Sequence, residues 1–116
     1  MRMWMLNPKF MCNTHILGAH GEIHKHRHNF VKQHKMDGRL SPVVQIEPMS
    51  MQSRHDELVA EMLHRGMNHK SPYEQPDVSY LGDKANCKVD LNISFSDLME
   101  RCPKCMRTYK KQKDEV

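Results

Sequence analysis

Ile16, Ile23 and Phe30 recur at intervals of seven residues, and an apolar residue repeated at that interval lines one side of a buried helix. With Leu17 and Val31 beside them, they predict a helix starting at Asn13 or Thr14, either of which can cap it. It runs to about Met36, where Asp37-Gly38 signals a turn. So long a helix dominates a chain of 116 residues, which can bury one modest core but not two. Residues 1–116 therefore read as a single domain. A second helix follows from the capping-box-like start Ser53-Arg-His-Asp56, the stripe Leu58, Val59, Met62 and Leu63, and the closing Gly66. A third should start near Asn92 or Ser94, with Asp97 in its first turn and Leu98 and Met99 on its apolar face. Pro103 interrupts it, and the basic tail Met106 to Lys113 either extends it or frays. Arg39 to Ser53, with Pro42 and Pro48, reads as a loop with a short extended piece at Val43–Ile46. Asn68 to Lys88, with Pro72 and Pro76, reads as a long wrapping loop. The expected fold is all-α: one compact domain of about three main helices and long connections.

On the first helix, His15, Gly18, Ala19, Glu22, Lys25 and His26 share a face. That face carries a lone carboxylate with little bulk beside it, flanked by imidazoles and basic groups. Gly18 and Gly21 weaken a helix, so keeping both points to a close approach by another backbone or a ligand. The formal net charge is +4, and between Met1 and Arg39 seven Lys/Arg oppose two acids and accompany six of the nine histidines. Basic charge gathered in this way is the footprint of a polyanion partner, with a solvated basic helix as the alternative. Arg2, Lys25, Arg27 and Lys32 are the candidate phosphate contacts, and such binding falls steeply as salt rises. No run of eighteen apolar residues exists to span a membrane, and mean hydropathy is −0.79. The opening Met-Arg-Met-Trp-Met-Leu-Asn-Pro has too short an apolar stretch for a secretory signal, so a cytoplasmic protein is expected.

Four cysteines without such a signal read as cytosolic thiols or metal ligands. Cys12-Asn-Thr-His15 and Cys102-Pro-Lys-Cys105 together could form a structural zinc site of Cys12, His15, Cys102 and Cys105, leaving Cys87 over. Reduced thiols packed near the core are the alternative. Zinc would also withdraw His15 from the Glu22 face. His20, His24 and His28 form an i, i+4, i+8 ladder that could hold a metal, or could face phosphates or solvent.

Arg2 is a bulky second residue that should leave Met1 in place as the mature terminus. An α-amine has a pKa near ~7.7 against ~10.4 for lysine. At neutral pH it is therefore far more often in the uncharged form that attacks carbon.

Three stretches carry a resemblance: the opening Met1-Arg2-Met3-Trp4, the pair His15-x6-Glu22, and the run Arg54-His-Asp-Glu57 through Arg65-Gly66-Met-Asn68. In this order and spacing they resemble the pyrimidine dimer DNA glycosylases, the phage endonuclease V type of base-excision enzyme. The resemblance implies an N-terminal segment threaded between helices into the active site, with the amine of Met1 as nucleophile and Glu22 as catalytic carboxylate. It implies that Arg2 lies beside the nucleophile, that Lys25 stands for a phosphate-binding arginine, and that His15 lines the site. It implies a monomer acting on damaged double-stranded DNA with no cofactor required: a glycosylase with abasic-site lyase activity. Gly21 and Ala19 stand where the phage prototype has an arginine and an acid, which implies different DNA contacts or a different modified base. The alternative is a small basic helical module, with or without zinc, that grips nucleic acid without chemistry.

Overall fold

The computed structural model describes residues 3–41, 43–69 and 72–114. Its regular structure is helical, with no strand among the described residues. The helices are α1 (Asn13–Val31), α2 (Asp37–Leu40), α3 (Met51–His64), α4 (Leu91–Arg101) and α5 (Pro103–Asp114). Single-turn 3-10 segments at Pro8–Phe10 and Pro48–Ser50, and a longer one at Ser79–Asn86 kinked at Gly82, occupy the connections.

The helix ends follow from local chemistry. α1 stops at Val31, short of Met36, because Gln33 takes a left-handed φ of 56°. The N–H groups of Gln33 and His34 then turn back onto the carbonyls of Phe30 and Asn29, each at 3.0 Å, and close a Schellman motif. Asp37-Gly38, expected to end the helix, opens α2 instead. α3 closes in the same manner at Gly66 (φ 83°), with the Met67 N–H bonded to the Met62 carbonyl at 2.8 Å. Asp90 caps α4 by accepting from the N–H groups of Asn92 and Ile93. Cys102 is extended before Pro103, and that proline opens α5, where a missing N–H costs nothing. The basic tail is thus a helix of its own.

α1 packs on α3, and α5 packs on α4 and on the Pro8–Phe10 turn. Ile16, Ile23, Phe30, Met51, Leu58 and Leu98 are all at or below 1 % exposure. Leu17, Val31 and Leu63, expected in the stripes, are more than half exposed. Each lies one residue, about 100°, from a core position, outside the arc that its helix buries. The Val43–Ile46 piece forms no strand, but the Gln45 carbonyl accepts the Met3 N–H at 2.7 Å. No described helix is long and apolar enough to cross a membrane.

Two arginines tie the chain's beginning to α3. Arg54, only 1 % exposed, donates from Nη1 to the Leu6 carbonyl and from Nη2 to the Met11 sulfur. Burial pushes its guanidinium below its ordinary pKa, against the pull of Glu57 and Glu47. Arg65 donates to Glu61 Oε2 at 2.8 Å, to Asn13 Oδ1 at 2.7 Å and to the Pro8 carbonyl at 3.1 Å. Arg54→Met keeps the volume but orphans the Leu6 carbonyl. It is expected to lower unfolding free energy by about 2–4 kcal/mol, read as an earlier urea midpoint at unchanged slope. An unmoved midpoint would show that the guanidinium holds nothing.

Candidate active site and metal-ligand clusters

Glu22 sits midway along α1, half-buried, in a cavity of about 210 Å³ lined also by Trp4, His15, Gly18 and Ala19. The helical repeat puts Glu22 one turn beyond Gly18 and two turns beyond His15. Beyond the neighbouring backbone of α1 itself, no described atom comes within 4 Å of a Cβ built on Gly18 or Gly21. No other described backbone takes up the room beside the glycines. Among the described residues no hydrogen bond or ion pair engages the Glu22 carboxylate.

Trp4, near the start of the described residues, lines this cavity. Met3 is buried, its N–H on Gln45 and its sulfur accepting from the Glu47 N–H at 3.2 Å. Ser94 Oγ donates to the Trp4 carbonyl, and the Trp4 ring meets His15 edge-on at 6.4 Å. Met1 and Arg2, two of the expected site residues, lie outside the described residues. Lys25 is exposed one turn beyond Glu22 on the same face, and Lys32 is exposed at the C-cap of α1. Arg27 is elsewhere: five residues on, it points about 140° away from Glu22, and its Nε donates to the Glu74 carbonyl at 2.7 Å. It lines a larger cavity of about 560 Å³ with His24, His28 and Tyr73. His26, expected on the Glu22 face, is buried, and burial first, then Arg39 and Lys25, pushes its pKa down to about 4.

His15 serves two neighbourhoods at once. While lining the Glu22 cavity, it turns Nδ1 to the thiols of Cys12 (3.3 Å) and Cys105 (3.5 Å). Cys12 Sγ and Cys102 Sγ are 3.8 Å apart, and the ligand atoms of all four residues fall within 4.8 Å. Around a tetrahedral ion with sulfur at about 2.3 Å and nitrogen at about 2.0 Å, sulfur–sulfur edges are about 3.8 Å and sulfur–nitrogen edges about 3.5 Å. The cluster could therefore hold a metal ion, and the conflict expected between zinc and the Glu22 face does not arise. Backbone N–H groups also aim at the sulfurs, Cys12 onto Cys105 at 3.3 Å and Cys105 onto Cys102 at 3.4 Å. Burial pushes the Cys105 thiol up to about 12, so without a cation it is held neutral. Cys87 stands apart from the cluster.

A second cluster was only half legible. His20 and His24 are two rungs of the expected ladder, but the exposed His28 is not among their companions. These are His55 of α3 and His69, which follows that helix. His55 lies four residues after Met51 and three before Leu58, so a core position of α3 is held by an imidazole. That break in the apolar stripe was the available signal.

Comparison with curated proteins and with solved structures gave no match. A family model described as pyrimidine dimer DNA glycosylase matches residues 1–75. The matched stretch contains Trp4, His15, Gly18, Ala19 and Glu22, every residue lining the small cavity, together with the Arg65-Gly66 close of α3. With its larger part covered by that match and an all-helical architecture around it, the chain belongs to the pyrimidine dimer DNA glycosylase family.

Proposed function

We propose that this protein excises a pyrimidine dimer or a related damaged base from duplex DNA and then cuts the strand, using the amine of Met1 as nucleophile and Glu22 as the acid–base group. The observation that carries the reading is a carboxylate on a bare helix face with residue 4 of the same chain on the cavity wall. Residue 4 stands three residues from Met1, a span of at most about 10 Å when extended, which supports pairing that amine with Glu22.

The uncharged amine attacks C1′ of the damaged nucleotide. The C1′–N glycosidic bond breaks, and its electron pair leaves with the base, which takes up a proton. Glu22 stabilises the positive charge that develops on the sugar. One proton of the attacking nitrogen passes to O4′ as the C1′–O4′ bond breaks, and the nitrogen lone pair forms the C1′=N bond of a protonated imine. A base, here the Glu22 carboxylate, removes a C2′ proton. The C2′=C3′ bond forms, the C3′–O bond breaks, and the 3′ phosphate departs. Water then hydrolyses the imine and frees the amine. Lys25 and Lys32 flank the cavity side of α1 as phosphate contacts, and Arg2 completes the set beside the nucleophile. Arg27 fits DNA contact less well, since its guanidinium already serves the Glu74 carbonyl on the far side.

The reading includes zinc at Cys12, His15, Cys102 and Cys105, where it joins the start of α1 to the start of α5. Bound through Nδ1, His15 presents Nε2–H as a fixed donor. The site is structural, with four protein ligands and no open position.

Sodium borohydride reduction on UV-irradiated and abasic duplex tests the chemistry. A covalent protein–DNA adduct is expected, together with its disappearance when one residue is added before Met1. An adduct of equal yield from the extended protein would remove the terminal amine from the mechanism.

A further inference from the structure

His20, His24, His55 and His69 each bring one ring nitrogen to a common point, with all four within 4.8 Å of one another. They come from α1 (His20, His24), α3 (His55) and the chain just beyond α3 (His69). The Nε2 atoms of His20 and His24 are 3.3 Å apart. A tetrahedral ion with four nitrogens at about 2.0 Å has edges of about 3.3 Å. Nε2 of His55 and Nε2 of His69 are buried and have no hydrogen-bond partner.

The protonation pattern explains those orphans. Nδ1 of His55 lies 3.1 Å from Asp56 Oδ1, and since a carboxylate only accepts, Nδ1 carries the proton. Nε2 of a neutral His55 then has a lone pair aimed inward with no donor to meet it. One hydrogen bond between His20 and His24 does nothing for His55 or His69. Leaving two buried ring nitrogens unmet costs about 1–3 kcal/mol each. A single cation satisfies four lone pairs together, and the Asp56–His55 pair is the carboxylate support that metal-bound histidines use. Tyr73 stacks on His55 with ring centroids 4.9 Å apart.

We infer that these four histidines form a second metal site, one that takes a first-row divalent cation, zinc in tetrahedral coordination, and clamps α1 to α3. Imidazole nitrogens favour zinc over magnesium or calcium, which prefer oxygen. Four protein ligands leave no position for water, so the ion is structural. His20 and His24 lie two residues either side of Glu22, about 160° around the helix. The clamp therefore holds α1 from behind and leaves the Glu22 face open.

The two sites differ in what cobalt reports. The full chain, stripped of metal and titrated with Co²⁺ alone, is expected to take up two equivalents. One brings thiolate-to-cobalt charge transfer in the near ultraviolet. The other brings visible bands of tetrahedral intensity with no added charge transfer. The double variant His24→Gln/His69→Gln is expected to lose the second signal and keep the first, which also reports that the fold survives. Saturation of the unaltered chain at one equivalent, or persistence of both signals in the double variant, overturns the inference.

Discussion

Glu22→Gln is expected to bind damaged duplex within about twofold of the unaltered protein while releasing base about 10²–10³ times more slowly. The amide keeps the shape of the carboxylate, so the cavity with Trp4, His15, Gly18 and Ala19 is undisturbed. What goes is the charge facing the sugar. A neutral amide can neither offset the cation that grows at C1′ nor accept the C2′ proton. On the proposed reading, ground-state binding rests on phosphate contacts outside the cavity, which the substitution leaves in place, so kcat and not Kd should carry the loss. Single-turnover excision beside a binding isotherm at one salt concentration separates the two. Excision at the unaltered rate would sink the assignment of Glu22.

Cys105→Ser is expected to remove one equivalent of zinc and to lower the melting temperature by roughly 15 °C. The estimate follows from linkage: an ion bound at a thousand times its Kd contributes about 4 kcal/mol, and each kcal/mol moves the midpoint of a domain this size by about 4 °C. Cys105 is fully buried and its sulfur receives the Cys12 N–H, so a serine oxygen there is too short and too hard to replace it. Native mass spectrometry gives the stoichiometry and calorimetry gives the midpoint. A variant that melts with the unaltered protein and holds as much zinc would mean the thiols are only packed together.

Much of this was legible because it is written locally. Ile16, Ile23 and Phe30 set the buried side of α1 by their spacing, and Gly66 ends α3 where a left-handed residue is needed. The His15–Glu22 pairing follows from two helical turns and is where the structure puts it. The end of α1 was not legible, because glutamine at position 33 carries no left-handed signal. Nor was the tail: Pro103 reads as an interruption, yet the same residue opens a new helix once the preceding one has ended. The metal-ligand clusters depended on tertiary contact. The spacings Cys12-x2-His15 and Cys102-x2-Cys105 marked the first set of ligands, and the fold brings Cys12 and Cys102, 90 residues apart, to 3.8 Å. His55 and His69 meet His20 and His24 only because α1 packs on α3.

Arg65 has a consequence beyond its own bonds. It grips Asn13 and the Pro8 carbonyl while Cys12, beside them, faces Cys102 and Cys105. α1 is thus anchored by its root, and Glu22 stands seven residues past His15, about 10 Å along a stiff rod. A slip of one residue at the root carries the carboxylate about 1.5 Å along the axis, and an error near 1 Å in a reacting group can cost about a hundredfold in rate. On the proposed mechanism, the aim of the acid is thus decided at the far end of the spar, by side chains outside the cavity.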